Sequence, residues 1–161
     1  MTDPYHDLQQ SYGRCLAGKG FIERFYEVFM ARDPEIAAMF ARTDFQKQRL
    51  ALRRGISVAI FHAAGSNVVG RATAEMADVH SRAGRCPVRP ELYRHWIEAL
   101  LQVIPEFDRE ADAALLARWR EAMEVVTGTF AGRYAGDGGQ APAERTDWVS
   151  RVFSRPGRGK R

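Results

Sequence analysis

Cysteine and long apolar runs are scarce in this chain of 161 residues. Only Cys15 and Cys86 occur, far apart and outside any C-x-x-C pair, which argues against a disulfide framework and a structural zinc site. No stretch approaches the roughly 18 apolar residues that a membrane-spanning helix needs. The N-terminus has neither a basic start nor an apolar segment, so we expect no signal peptide and a cytoplasmic protein.

Proline is missing from 35–86 and again from 106–141, which leaves long segments free to be helical. β-Hairpin signals are missing too, because Asp137-Gly138 lies in a glycine-rich stretch instead of between alternating apolar strands. Apolar residues make up 45% of the chain and charged residues 27%, as in globular proteins. These features predict one all-α domain over residues 1–135, followed by a flexible, basic C-terminal tail over 136–161.

The excess of positive charge is confined to the tail. The net charge is +4, yet residues 1–141 carry 18 basic and 18 acidic side chains. Because residues 1–141 are electrically neutral, they are a poor match for the negative charge of nucleic acid, and we expect no nucleic-acid partner. Trp148 and Phe153 give the tail an amphipathic turn that could touch an acidic membrane, but we expect a solvated end. Nothing in the sequence indicates the oligomeric state.

Apolar side chains recur every three to four residues through most of the body, which predicts six or seven helices. Asp33 before Pro34 is typical of a helix start, and Asp108 is expected to cap the last helix. The predicted helices span 5–17, 20–32, 34–39, 44–64, 70–82, 91–104 and a long segment that follows Asp108.

Enzyme motifs are also lacking. The chain has no dinucleotide-binding glycine motif, no P-loop, no H-E-x-x-H and no G-x-S-x-G. An all-helical chain that is rich in aromatic residues but has no acid–base cluster suggests a hydrophobic pocket. Such a pocket could bind a large apolar cofactor, which would then supply the chemistry.

Four segments follow one another in the order and spacing of a known family. They are FYEVFMARDPEIAAMF at 25–40, QRLAL at 48–52, His80 at 32 residues after Gln48, and RPELYRHWIEALL at 89–101. In these segments the chain resembles the bacterial single-domain globins and the haem domain of the flavohaemoglobins. The resemblance covers about residues 10–134. It implies an all-α globin fold, with six to eight helices around a pocket for haem b.

The same resemblance implies a set of site residues. It makes His80 the proximal metal ligand and Tyr26 and Gln48 the distal residues that stabilise a bound gas. From the residues alone, each has a plainer interpretation. His80 could be a helix-terminal histidine near the negative end of the helix dipole, and Tyr26 a core tyrosine that hydrogen-bonds to a carbonyl. Gln48 could be a solvent-facing glutamine. Of the other histidines, His6 and His95 are expected at the surface, and His62 is a weaker ligand candidate.

Further side chains are candidates for the walls of the cofactor pocket, although ordinary core packing explains each of them equally well. They are Phe40, Phe45, Ile56, Val79, Val88, Tyr93, Ile97 and Val126. The resemblance adds Leu52 to the pocket, above the iron, and makes Phe40 the phenylalanine that stacks on the porphyrin. Five cations are candidates to pair with the carboxylates of the haem, with a solvated helix face as the alternative. They are Lys47, Arg49, Arg53, Arg82 and Arg85.

The chain departs from the flavohaemoglobins in three respects. The connector from His80 to Tyr93 is 13 residues, about three longer, and the proximal glutamate of the last helix has no match in 130–134. Nothing after residue 135 looks able to bind flavin or nicotinamide, so we expect no reductase domain. We therefore expect reversible binding of dioxygen, nitric oxide and carbon monoxide. The alternatives are nitric oxide dioxygenase activity with an external reductase, haem-based gas sensing, and a globin-like interaction module without haem.

Overall fold

Residues 5–136 are described by a computed structural model, and the predicted tail lies outside them except for Gly136. Helices dominate this part of the chain, and it contains no strand. The helices are α1 His6–Ala17, α2 Phe21–Arg32, α3 Pro34–Met39, α4 Phe45–Ala63, α5 Gly70–His80, α6 Tyr93–Phe107 and α7 Ala113–Gly136. Short 3₁₀ turns occur at Asn67–Val69 and Pro90–Leu92. The all-α prediction is confirmed.

Aspartate caps fix the starts of α3 and α4. The side chain of Asp33 accepts a hydrogen bond from the Glu35 backbone N–H at 2.8 Å, and Pro34 occupies the first turn of α3. At the start of α4, the Asp44 carboxylate accepts from the Gln46 N–H at 3.0 Å. Each cap satisfies a backbone donor that the helix itself leaves unpaired, so both helices begin where the sequence indicates.

The junction between α6 and α7 differs from the prediction. Helix α6 runs through Pro105 to Phe107, beyond the predicted end at 104, although a proline inside a helix removes a backbone hydrogen bond. Asp108 is the C-terminal flanking residue of α6 and does not cap α7. That role belongs to Asp112, whose carboxylate accepts from the Leu115 N–H at 2.8 Å.

The core forms where long helices cross. Helix α2 lies along α6, and α4 and α5 both pack against α7. Fully buried side chains of these helices include Phe25, Ile56, Leu100 and Met123, each of which stabilises the fold by about 1.5–3 kcal/mol. Trp119 of α7 is also fully buried and packs against Tyr12 of α1. Over residues 5–136, none of the helices is long and apolar enough to cross a membrane.

Candidate functional site

A cavity of about 760 Å³ lies among helices α2 to α7. This volume falls within the roughly 300–1,000 Å³ that is usual for ligand and cofactor sites. Its walls are mostly apolar, with a few polar groups. The lining includes Tyr26, Phe29, Met39, Phe40, Arg42, Gln48, Ala51, Leu52, Gly55, Met76, His80, Cys86, Val88, Tyr93, Trp96, Val126, Thr127 and Phe130.

Tyr26 and Gln48 form a buried polar pair in the cavity wall. Tyr26 is 4% exposed and Gln48 is 5% exposed. The Gln48 side-chain amide donates to the Tyr26 hydroxyl at 3.0 Å, and that hydroxyl donates to the backbone carbonyl of Gln48 across a longer 3.4 Å. Burial raises the pKa of Tyr26 above its ordinary value. The phenol therefore stays protonated and acts as a hydrogen-bond donor near neutral pH.

Aromatic rings surround the tyrosine. The rings of Phe40 and Phe45 each lie edge-on to Tyr26, with ring centroids 5.5 Å away. Phe29 packs against Phe40 at 6.0 Å. Edge-to-face pairs at these distances are favourable because the positive edge of one ring meets the negative face of the other. The phenol is thereby held in one position at the cavity.

His80, the last residue of α5, is tied to the preceding turn. Its Nδ1 lies 2.6 Å from the backbone carbonyl oxygen of Met76. Because a carbonyl can only accept, Nδ1 carries the proton, and in the neutral ring Nε2 holds the lone pair. Burial lowers the pKa of His80 below its ordinary value and so favours that neutral ring. An imidazole in this tautomer is ready to ligate a metal through Nε2.

The connector after His80 folds back onto the end of α5. The Cys86 N–H donates to the Val79 carbonyl at 3.0 Å, and the Val88 N–H donates to the His80 carbonyl at 3.1 Å. Gly84 makes this approach feasible, since a Cβ there would lie 2.2 Å from the Asp78 carbonyl oxygen. The connector therefore holds the histidine-bearing turn and brings Val88 to the cavity wall.

Phe130 and Tyr93 complete the surroundings of His80. The Phe130 ring stacks on the imidazole, with centroids 5.4 Å apart and planes 7° from parallel. Tyr93 packs against Phe130 at 5.9 Å. Its hydroxyl is buried and has no hydrogen-bond partner within residues 5–136.

The structure brings most of the predicted site residues to one cavity. Tyr26, Gln48 and His80 all line it, as do five of the predicted wall residues: Phe40, Leu52, Val88, Tyr93 and Val126. The other four wall candidates, Phe45, Ile56, Val79 and Ile97, are not among its lining residues. Ile56 and Ile97 are buried in the helical core, and the Phe45 ring packs against those of Tyr26 and Phe40. Their contact with a cofactor stays a prediction.

The other histidines lie elsewhere. His62, at the end of α4, faces the Thr129 hydroxyl at 3.4 Å. His95 accepts a hydrogen bond from the Arg32 guanidinium at 3.2 Å, and His6 is exposed. None of these three is among the residues that line the cavity, whereas His80 is.

The cavity cation is one that sequence reasoning missed. Arg42, in the turn between α3 and α4, lines the cavity, whereas the five predicted cations are absent from its lining. Arg49 pairs with Glu23 at 3.6 Å, and the Arg82 guanidinium lies 4.8 Å from the centre of the Tyr134 ring. Arg42 belongs to no periodic pattern in the sequence, so its position in the cavity wall can be recognised only from the path of the turn between α3 and α4.

Comparison with known proteins gives one informative result. No family model and no curated protein matches the chain. A crystal structure of a protein from Pseudomonas aeruginosa PAO1, described as structurally highly homologous to a human hemoglobin, is 40% identical and superposes with a TM-score of 0.73. The match covers 78% of this chain and 94% of that chain. The narrower likeness to flavohaemoglobins stays a prediction, but at this identity and coverage the chain belongs to the globin family.

Proposed function

We propose that the chain is a haem-binding globin that reversibly binds dioxygen, nitric oxide and carbon monoxide. The observation that carries this proposal is that an anchored imidazole, His80, and a buried Tyr26–Gln48 pair share one largely apolar cavity. When bound, haem supplies an iron that takes up diatomic gases at an open coordination position.

The residues that line the cavity fit a haem. A porphyrin needs apolar walls and a metal-ligating nitrogen, and the cavity offers both, with the His80 tautomer already set by the Met76 carbonyl. A haem also carries carboxylates, and Arg42 supplies a positive charge in the lining. Asp44 lines the cavity as well, with its carboxylate accepting from the Gln46 and Lys47 N–H groups. His80 would hold the metal, Phe40, Leu52 and Val88 would contact the macrocycle, and Arg42 would pair with a carboxylate.

The distal pair suits a polar diatomic ligand. The Tyr26 proton has only a 3.4 Å contact with the Gln48 carbonyl, well beyond the usual O–H···O distance. It can turn towards a ligand in the cavity at little cost, while the Gln48 amide keeps the oxygen in place at 3.0 Å. A fixed donor in a buried site stabilises partial negative charge on the ligand and slows its release.

The proximal contacts support reversible binding over oxidative turnover. His80 donates to a neutral backbone carbonyl, and a carboxylate at this position would increase the electron donation of the ring. Nitric oxide dioxygenase activity with an external reductase remains the second candidate, because the same Tyr26–Gln48 pair would also stabilise dioxygen for that reaction.

Absorption spectra of the purified protein in its ferric, ferrous and carbonyl forms test the proposal. We expect a red protein with a strong Soret band, and a carbonyl spectrum typical of histidine ligation. His80→Ala should lose or weaken haem binding. His62→Ala is the matched control and should leave the spectra unchanged, since His62 is not among the lining residues.

Two further outcomes separate the alternatives. A colourless protein that refuses added haemin contradicts the proposal and favours the interaction module. If aerobic ferrous protein consumes nitric oxide repeatedly in the presence of a reductase, the chain is a dioxygenase. If it reacts once and stays ferric, the chain is a binder.

A further inference from the structure

The imidazole of His80 and the ring of Phe130 lie almost parallel. Their planes differ by 7° and their centroids are 5.4 Å apart, inside the 4.5–7 Å range of offset-stacked rings. Phe130 comes from α7 and is 7% exposed, whereas His80 ends α5. The contact therefore joins two helices that pack along each other.

The orientation of a histidine ring needs such a contact. Rotation about the Cβ–Cγ bond of histidine has broad, shallow minima. The hydrogen bond from Nδ1 to the Met76 carbonyl directs one ring atom, but it tolerates a tilt of the ring plane because acceptor geometry at a carbonyl is broad. A parallel aromatic face opposes that tilt, because rotating the imidazole out of the parallel plane brings one of its edges towards the neighbouring ring and loses the stacked contact.

Phe130 is itself held from behind. Tyr93 of α6 packs against it at 5.9 Å, with the planes 56° apart. One turn earlier on α7, Val126 and Thr127 line the same cavity and are buried. The phenyl ring is thus fixed between α5 and α6.

We infer that Phe130 is a positioning residue, which sets the plane of the His80 imidazole and so the way the ring is presented to a metal in the cavity. It orients the ring without adding a negative charge next to it. The functional half of this inference rests on the proposed function, whereas the orientation itself can be measured in the haem-free chain.

Proton NMR of the haem-free protein measures the stack directly. The Phe130 ring current shifts the imidazole proton resonances of His80, because the two rings are stacked. In Phe130→Leu these resonances should move, and they should return towards their original positions in Phe130→Tyr, which keeps the ring. Phe130→Met gives a second non-aromatic variant should the leucine variant fail to fold.

The second readout is the iron–histidine stretching band of the ferrous holoprotein in resonance Raman spectra. Phe130→Leu should shift or broaden this band and speed haem loss about tenfold, the lower end of the effect of outer-shell partners. Phe130→Tyr should restore the band. The matched control is Phe21→Leu, in the core near Phe107, which should lower the melting temperature without moving the band.

The results separate this inference from the proposed function. Unchanged imidazole shifts in both non-aromatic variants overturn the orienting role of Phe130, and so does an unchanged stretching band in a folded, haem-loaded Phe130→Leu protein. Failure of the wild-type chain to take up haem overturns the proposed function and the metal-directed part of the inference. The haem-free NMR comparison then still decides whether the two rings stack in the folded chain.

Discussion

Asp108 and Arg14 form a bidentate ion pair that joins the end of α6 to α1. Arg14 Nε lies 2.6 Å from Oδ1 of Asp108, and Nη2 lies 3.1 Å from Oδ2. Asp108 is 1% exposed and also accepts from the Ser11 hydroxyl at 2.6 Å. Ser11 in turn accepts from the Trp119 indole N–H at 3.0 Å. One carboxylate therefore ties α1, α6 and α7 together.

We predict that Asp108→Asn destabilises the fold by about 2 kcal/mol, because it weakens hydrogen bonds that are made to a buried charge. Urea unfolding at pH 7 measures the loss. The matched control is Asp78→Asn, since Asp78 forms an exposed ion pair with Arg133, and such pairs contribute about 0–1 kcal/mol. Equal losses of unfolding free energy in Asp108→Asn and Asp78→Asn would contradict a larger contribution of Asp108 to stability.

The same carboxylate should make stability depend on acid. Burial alone would raise the pKa of Asp108, but hydrogen bonds from Arg14, Ser11 and the Glu110 backbone outweigh it, so its pKa lies below the ordinary value. A folded-state pKa below that of the unfolded chain, about 3.9, stabilises the fold above pH ~4. That stabilisation disappears as pH falls through the lower, folded-state pKa.

Urea unfolding between pH 7 and pH 3 measures this dependence as the stability difference between wild type and Asp108→Asn. The difference should be constant above about pH 5 and shrink below about pH 4, where the unfolded chain takes up the proton. A difference that stays constant to pH 3, or grows, would show that the charge of Asp108 contributes nothing.

The helices could largely be predicted because their signals are local. Apolar spacing and the Asp33 cap specify where α2 and α3 lie, whatever packs on them. The end of α6 could not be placed this way, because the helix continues through Pro105 and Phe107 packs against the distant Phe21 at 5.5 Å, a contact that local spacing does not show. Likewise, Asp108 is recruited by Arg14, which is 94 residues away.

The site residues also divide into those that sequence patterns predict and those that only the fold brings together. Tyr26, Gln48 and His80 stand at spacings that a family resemblance can recognise, and they do line one cavity. The apolar spacing of α7 puts Phe130 on the core-facing side, but nothing in the sequence says that its ring stacks on His80. Arg42 reaches the cavity only through the path of a turn. Contacts between distant segments need the assembled fold.

Removing the Tyr26 hydroxyl should speed dioxygen release. Tyr26→Phe loses a buried donor, and a hydrogen bond to a charged or partly charged group contributes about 1.5–3 kcal/mol, so the off-rate should rise about 10–100-fold. Stopped-flow displacement of dioxygen by carbon monoxide measures it. Tyr12→Phe is the control, because that hydroxyl donates to the Arg53 carbonyl at 2.6 Å and Tyr12 is not a lining residue. An unchanged rate in Tyr26→Phe would remove Tyr26 from the distal role.

Gly55 offers a way to fill the cavity from α4. It lines the cavity, and a Cβ built there meets nothing within 4 Å. Gly55→Ala should therefore stabilise the haem-free chain by about 0.5–1 kcal/mol, because alanine is the better helix former. Gly55→Phe should instead project a ring into the space and abolish or strongly weaken haemin uptake, measured by Soret titration.

Gly13 provides the matched pair of controls for this experiment. It lies on the exposed side of α1, and a Cβ there also meets nothing within 4 Å. Gly13→Ala should give a similar gain in urea unfolding, while Gly13→Phe should leave haemin uptake unchanged. Full haemin uptake by a folded Gly55→Phe protein would mean that the cofactor does not occupy this part of the cavity, whereas loss of uptake in both phenylalanine variants would point to general damage.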